Sequence, residues 1–173
     1  MKTFICEICG DAYIGLEKPK NCPFCGAREN YIKLGSEARP IVNEKIDLSE
    51  QSIKNLKATY DLEVRASALY TCMAGKAKTY EIKAMYKRLA KVELEHAVIV
   101  TKLLQSARPE VGEEVCSDED QKNFKKTVSL EENAVNLYKQ FMQEATETLI
   151  KTLFTALSQV ESDHIELIKN YLI

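Results

Sequence analysis

Two short motifs repeat along this 173-residue chain at one shared interval. Its two histidines each close a Glu-x-x-His, Glu93-Leu94-Glu95-His96 and Glu161-Ser162-Asp163-His164, 68 residues apart. Glu63-x-x-Ala66-x-x-x-Tyr70 and Glu131-x-x-Ala134-x-x-x-Tyr138 are also 68 apart. Different motifs with one period signify a duplicated two-helix unit. The repeated residue types are those that bind and tune a pair of metal ions, so the chain reads as a carboxylate-bridged dimetal protein.

From about Asp47 onward there are two glycines, one proline and apolar residues at helical spacing, which predicts four helices. Helix A is expected from about Ser49 to Ala74, led by an Asp47-to-Glu50 capping box and stopped by Gly75. Helix B is expected from about Thr79 to Ser106, C from Ser117 to Ala145 and D from Thr148 to Tyr171. Short A–B and C–D turns make two antiparallel hairpins. The connection from about Ala107 to Cys116 spans about 33–36 Å when extended, the reach that the long B–C crossover of a ferritin-like four-helix bundle requires.

On helix B the apolar stripe Ile82, Met85, Leu89 runs into Glu93 and His96 and resumes at Val100 and Leu103. Glu63, Glu131 and the pair Glu161 and His164 interrupt the other stripes in the same way, so each helix sends a carboxylate to the bundle axis. Unpaired buried carboxylates cost several kcal/mol apiece. Two divalent cations neutralise four of them, with His96 and His164 as neutral nitrogen ligands. Carboxylate with imidazole suits iron or manganese, and zinc as well. Tyr70 and Tyr138, two turns beyond Glu63 and Glu131, are either core packing or donors to ligand carboxylates across the bundle.

Residues 1–35 form a separate small module, residues 36–46 a linker around Pro40, and residues 47–173 the bundle. Cys6-x-x-Cys9 and Cys22-x-x-Cys25, twelve residues apart, make two knuckles for one tetrahedral iron or zinc. Gly10 and Gly26 follow the second cysteine of each pair and let the backbone turn toward sulfur. Cys72 and Cys116 stand alone and read as small buried apolar residues without a role. A net charge of −2 leaves no basic footprint for nucleic acid. No apolar run long enough for a membrane span and no secretory signal are visible, which points to the cytoplasm.

Cys22-Pro23-Phe24-Cys25-Gly26 resembles a rubredoxin domain, and Glu63 to Tyr70, Ala74-Gly75-Lys76-Ala77 and Glu93-Leu94-Glu95-His96-Ala97 resemble rubrerythrin. The cysteine module comes first here, as in a reverse-order branch. The resemblance implies a non-haem di-iron peroxidase that reduces hydrogen peroxide to water in oxidative-stress defence. Electrons would come from a reductase or rubredoxin, ultimately from NAD(P)H, and pass through a rubredoxin-type FeS4 centre in a homodimer. It implies Glu63, Glu93, His96, Glu131, Glu161 and His164 as the di-iron ligands, Glu93 and Glu161 bridging, and Cys6, Cys9, Cys22 and Cys25 as the FeS4 ligands. Two positions depart from the pattern: Ala134 stands where rubrerythrins carry a further glutamate, and Asp11 where rubredoxins usually carry tyrosine. The same ligands would serve an oxidase or ferroxidase acting on dioxygen and ferrous iron. A non-catalytic metal-binding module with a structural zinc ribbon is the remaining alternative.

Overall fold

The computed structural model describes all of Met1–Ile173. Its N-terminal part is a three-stranded antiparallel sheet, β1 (Lys2–Cys6), β2 (Ala12–Gly15) and β3 (Ile32–Leu34), in the order β2-β1-β3. Phe4 of central β1 lies opposite Tyr13 on one side and Leu34 on the other. Alternation along the strand turns Phe4 and Cys6 inward. The inward face of the sheet continues into the apolar core of the helices.

The helices are α1 (Glu50–Lys76), α2 (Tyr80–Leu104), α3 (Asp120–Glu144) and α4 (Thr148–Lys169). α1 packs along α2, α3 along α4, and α1 also meets α3. Three-residue turns, 77–79 and 145–147, close each hairpin. Ser49, not Asp47, caps α1, its Oγ accepting from the Ser52 amide at 3.2 Å. Glu147, at the cap position of α4, accepts from the Ser49 amide at 2.5 Å and the Ser52 hydroxyl at 2.7 Å. The start of the first hairpin is thereby tied to the turn of the second.

Gly75 does not stop α1, which runs one residue further, to Lys76. Gly75 sits in ordinary helical backbone with open space around it, so nothing there turns the chain. The crossover proves longer than its apolar pattern suggested, because α2 ends at Leu104 with Gln105 in the left-handed region (φ 51°) and α3 begins only at Asp120. The chain runs back beside α1: residues 106–108 lie near Lys57 and Tyr60, 112–114 near Val64 and Arg65, and Cys116 at Cys72. This is the single long B–C crossover of a ferritin-like bundle.

The segment 36–46 does not hang free. Ile41 is buried in a short 3-10 turn, Ile41–Asn43, and its amide donates to the Glu7 carbonyl at 2.7 Å. One continuous apolar cluster joins Phe4, Ile8, Ala27, Ile32 and Ile41 of the N-terminal part to Ile99, Leu153, Phe154 and Leu157 of the bundle. A second cluster, around Tyr70, Met73, Tyr86, Leu89, Phe124 and Ile168, fills the other end. Between the two lies a layer of buried acids and histidines.

Candidate metal centres

The four cysteines converge beneath the sheet. Cys6 and Cys25 Sγ atoms are 3.7 Å apart, and those of Cys9 and Cys22 3.8 Å. A tetrahedral ion with metal–sulfur bonds of about 2.3 Å separates its ligands by about 3.75 Å, so the cage has the size of one bound ion. Gly10 (φ 84°) and Gly26 (φ 78°) take the left-handed conformation, which costs other residues energy through their Cβ. Their amides donate to the carbonyls of Cys6 (2.9 Å) and Cys22 (3.0 Å), closing the knuckles. The Asp11 amide faces Cys9 Sγ at 3.5 Å. This set suits a rubredoxin-like site.

At mid-bundle each helix contributes a carboxylate that is at most 3% exposed: Glu63 from α1, Glu93 from α2, Glu131 from α3 and Glu161 from α4. His96 Nδ1 lies 3.4, 3.1 and 3.3 Å from oxygens of Glu63, Glu93 and Glu161. His164 Nδ1 lies 3.2, 3.5 and 2.9 Å from oxygens of Glu93, Glu131 and Glu161. Glu93 and Glu161 therefore turn one oxygen to each half, the geometry of bridging carboxylates, while Glu63 and Glu131 each serve one half. Both oxygens of Glu93 and of Glu161, and both Nδ1 atoms, are buried without hydrogen-bond partners. Atoms that converge on two points without bonding one another, at cost if left bare, are the signature of ligands around two cations.

The electrostatics say the same. Burial raises Glu63 to about 8, against the pull of His96. Burial, reinforced by the charges of Glu161 and Glu93, raises Glu131 to about 8. For Glu93 burial also works upward, but His164 and His96 prevail and hold it near 2. Burial disfavours charge on both histidines. Even so, Glu63 and Glu161 drive His96, and Glu93 drives His164, well above the usual range. Protons are filling the role of cations. Tyr70 Oη donates to Glu131 at 2.5 Å, and Tyr138 Oη donates to Glu63. Burial, with Glu131 and Glu63 respectively as neighbours, keeps both phenols protonated far above the ordinary tyrosine range.

The rubrerythrin family model matches residues 54–126. Reverse rubrerythrin-1 of Clostridium acetobutylicum is 32% identical over 113 aligned positions, which take in 60% of this chain and 62% of that relative. Over these spans the chain is similar to the rubrerythrin family. The cysteine module of this chain stands ahead of the bundle. The match spans less than two thirds of the relative's length. The buried glutamate and histidine cluster of this chain suits a carboxylate-bridged di-iron site.

The two halves of the centre are alike in sequence and unlike in surroundings. His96 is fully buried, and its Nε2 lies 2.9 Å from the carbonyl oxygen of Cys25. His164, 7% exposed, borders a groove between the cysteine module and α4, where Arg28 pairs with Asp163 at 2.6 Å. One half touches the sulfur site, and the other faces solvent.

Sequence reasoning missed the residues that seat the module. Arg88 donates to the carbonyls of Pro23 and Phe24, the latter at 3.1 Å, and Lys102 to that of Cys9 at 3.0 Å. Glu95, inside the Glu-x-x-His, comes together with Cys9 and Asp11. The spacing of Arg88, Glu95 and Lys102, seven residues each, placed them on one α2 face without saying what covers it. One reading is overturned: Cys72 and Cys116 are not isolated apolar residues but form a disulfide across 44 residues. The pairing depends on the path of the crossover along α1, which local pattern does not encode.

Proposed function

We propose that this chain is a peroxidase: hydrogen peroxide takes up two electrons and two protons and leaves as two waters, with electrons relayed from the cysteine site to the bundle site. Glu63, Glu93, His96 and Glu161 would hold one iron, Glu93, Glu131, Glu161 and His164 the other, and Cys6, Cys9, Cys22 and Cys25 a third. Iron in the bundle would supply the electrons that split the O–O bond. The observation that carries the reading is the 2.9 Å contact between His96 Nε2 and the Cys25 carbonyl. It links a bundle ligand to a cysteine ligand by one hydrogen bond, a connection that neither iron storage nor a purely structural zinc ribbon calls for.

The other residues have assignable tasks. Tyr70 and Tyr138 hold Glu131 and Glu63 in place, and as phenols that keep their protons they orient rather than react. The groove beside His164 admits a small oxidant, while burial of His96 keeps water from the relay side. A reductase or rubredoxin would refill the cysteine-bound iron. A cytoplasmic homodimer is the expected form, and no helix is long and apolar enough to cross a membrane.

Ala134 favours a second reading. It is 1% exposed and brings no further carboxylate to the Glu131 half, leaving two matched donor sets that an oxidase or ferroxidase would also use. Stopped-flow mixing of the anaerobically reduced, metallated protein with one equivalent of peroxide or dioxygen decides between them. Rapid oxidation by peroxide, slow oxidation by dioxygen and return of the FeS4 bands as the ferrous cysteine site gives up its electron support the peroxidase. Faster reaction with dioxygen gives the oxidase. Glu93→Ala is expected to abolish peroxide turnover and leave the FeS4 bands intact.

A further inference from the structure

The crossover between α2 and α3 forms a strap beside α1, with a cavity of about 580 Å³ under it. Asp61, Arg65, Leu69, Glu114, Val115 and Glu131 are among its lining residues. Glu131, at 3%, is the most exposed of the four central carboxylates, the others being at 1%. The cavity is thus a second way to the bundle site, apart from the groove at His164.

The strap is weakly fastened. Residues 106–117 carry no helix or strand, and no backbone amide from 107 to 116 donates to another protein group. Arg65 meets Glu114 at 2.8 Å and Lys76 meets Asp118 at 3.1 Å, but Arg65 is 76% and Asp118 82% exposed. Ion pairs so open to water and salt hold little. The Cys72–Cys116 disulfide, one residue from Val115, is the covalent tie to α1. Both cysteines are half-buried, so small thiols can reach them. Lys76 donates to the Cys116 carbonyl at 2.9 Å, a single side-chain bond to the backbone at the latch itself.

We infer that Cys72–Cys116 is a redox latch on this entrance. Latched, the strap fixes the cavity wall and only small molecules reach Glu131; unlatched, it swings between Gln105 and Glu119 and larger reagents enter. Opening takes two electrons and two protons from a dithiol, which cleave the Sγ–Sγ bond to two thiols and leave the dithiol as a disulfide. Closing consumes one hydrogen peroxide. One cysteine attacks it to give a sulfenic acid and water, then the other thiol displaces a second water as the S–S bond forms. The inference rests on the bundle holding metal, not on which oxidant the metal reduces.

The full metallated chain, treated with peroxide or with a dithiol, is probed by two rates. One is cleavage by a glutamate-specific protease at Glu110, Glu113 and Glu114; the other is stripping of bundle iron by a bulky ferrous chelator, begun once the iron of both samples has been brought to the ferrous state, with loss from the cysteine site counted separately. Reduction is expected to raise both by roughly tenfold, since cleavage tracks the open population. The Cys72→Ser/Cys116→Ser double variant is expected to match the reduced protein and to ignore the dithiol. Unchanged rates overturn the latch, as do faster strap cleavage without faster iron loss, cleavage spread through α1 and α3, or thiols that stay free after peroxide. None of these readouts requires turnover, so failure of the latch and failure of the peroxidase reading are separable.

Discussion

Two tyrosines show how much depends on single atoms at the centre. Tyr138 Oη is the donor that Glu63 Oε1 receives, and Tyr70 serves Glu131 in the same way. Tyr138→Phe keeps the ring stacked near Phe154, whose centroid is 5.9 Å away, and removes only the hydroxyl. A buried carboxylate left without its donor costs about 1–3 kcal/mol, and loss of such a ligand-orienting bond weakens metal binding by about 10–100-fold. Titration with ferrous ion is expected to show weakening at one half of the centre and unchanged cysteine-site bands. The carboxyls themselves predict a pH dependence. In the metal-free fold Glu63 and Glu131 titrate near 8 instead of 4.5, so between those values the folded chain binds more protons than the unfolded one. The raised histidines act in the same direction. Their contribution to stability is therefore fully present below about pH 4.5 and is lost as pH rises through about 8, by roughly a few kcal/mol. Melting curves from pH 5 to 8.5 are expected to fall for the metal-free protein and to stay nearly level once metal replaces the protons.

At the scale of elements, the docking of the N-terminal module on α4 passes through Gly26. An added Cβ there would come within 2.8 Å of Val160 Cγ1, at a φ of 78° that disfavours any side chain. Gly26→Ala is expected to cost at least about 1–2 kcal/mol from backbone strain alone and to loosen the knuckle. Arg28→Ala, which removes an exposed pair with Asp163, is expected to cost under about 1 kcal/mol. Thermal melting of the two variants checks the order. What local pattern encodes and what it omits separate along the same line. Helix existence and the inward acids followed from 3.6-residue periodicity, because a carboxylate inside an apolar stripe has one physical reading. The α1 cap moved from Asp47 to Ser49 because both residue types accept from backbone amides and only the chain's entry angle decides. Docking of segment 36–46 through Ile41, and the meeting of Cys72 with Cys116, depend on how elements pack, information that lies in no single window of sequence.

For the whole molecule the decisive fact is that module and bundle share one apolar core, which brings His96 to Cys25 within a single chain. A linker of 36–46 read as free would have left the cysteine site equally able to serve its own bundle or a neighbour's. With Ile41 buried, Arg88 and Lys102 bonded to the carbonyls of the knuckles, and Val160 filling the space beside Gly26, the cysteine module is seated on its own bundle. If electrons follow the His96–Cys25 contact, refilling of the bundle site is first-order and independent of protein concentration. A mixing experiment is sharper. One variant, Glu93→Ala, lacks the bundle site, and another, Cys22→Ser, lacks the cysteine site. Co-expressed in one assembly, the two are expected to remain inactive toward peroxide, because no single chain holds both ends of the relay. Activity in the mixed assembly well above that of either parent would mean that electrons cross between chains, and that the contact seen within one chain is not their path.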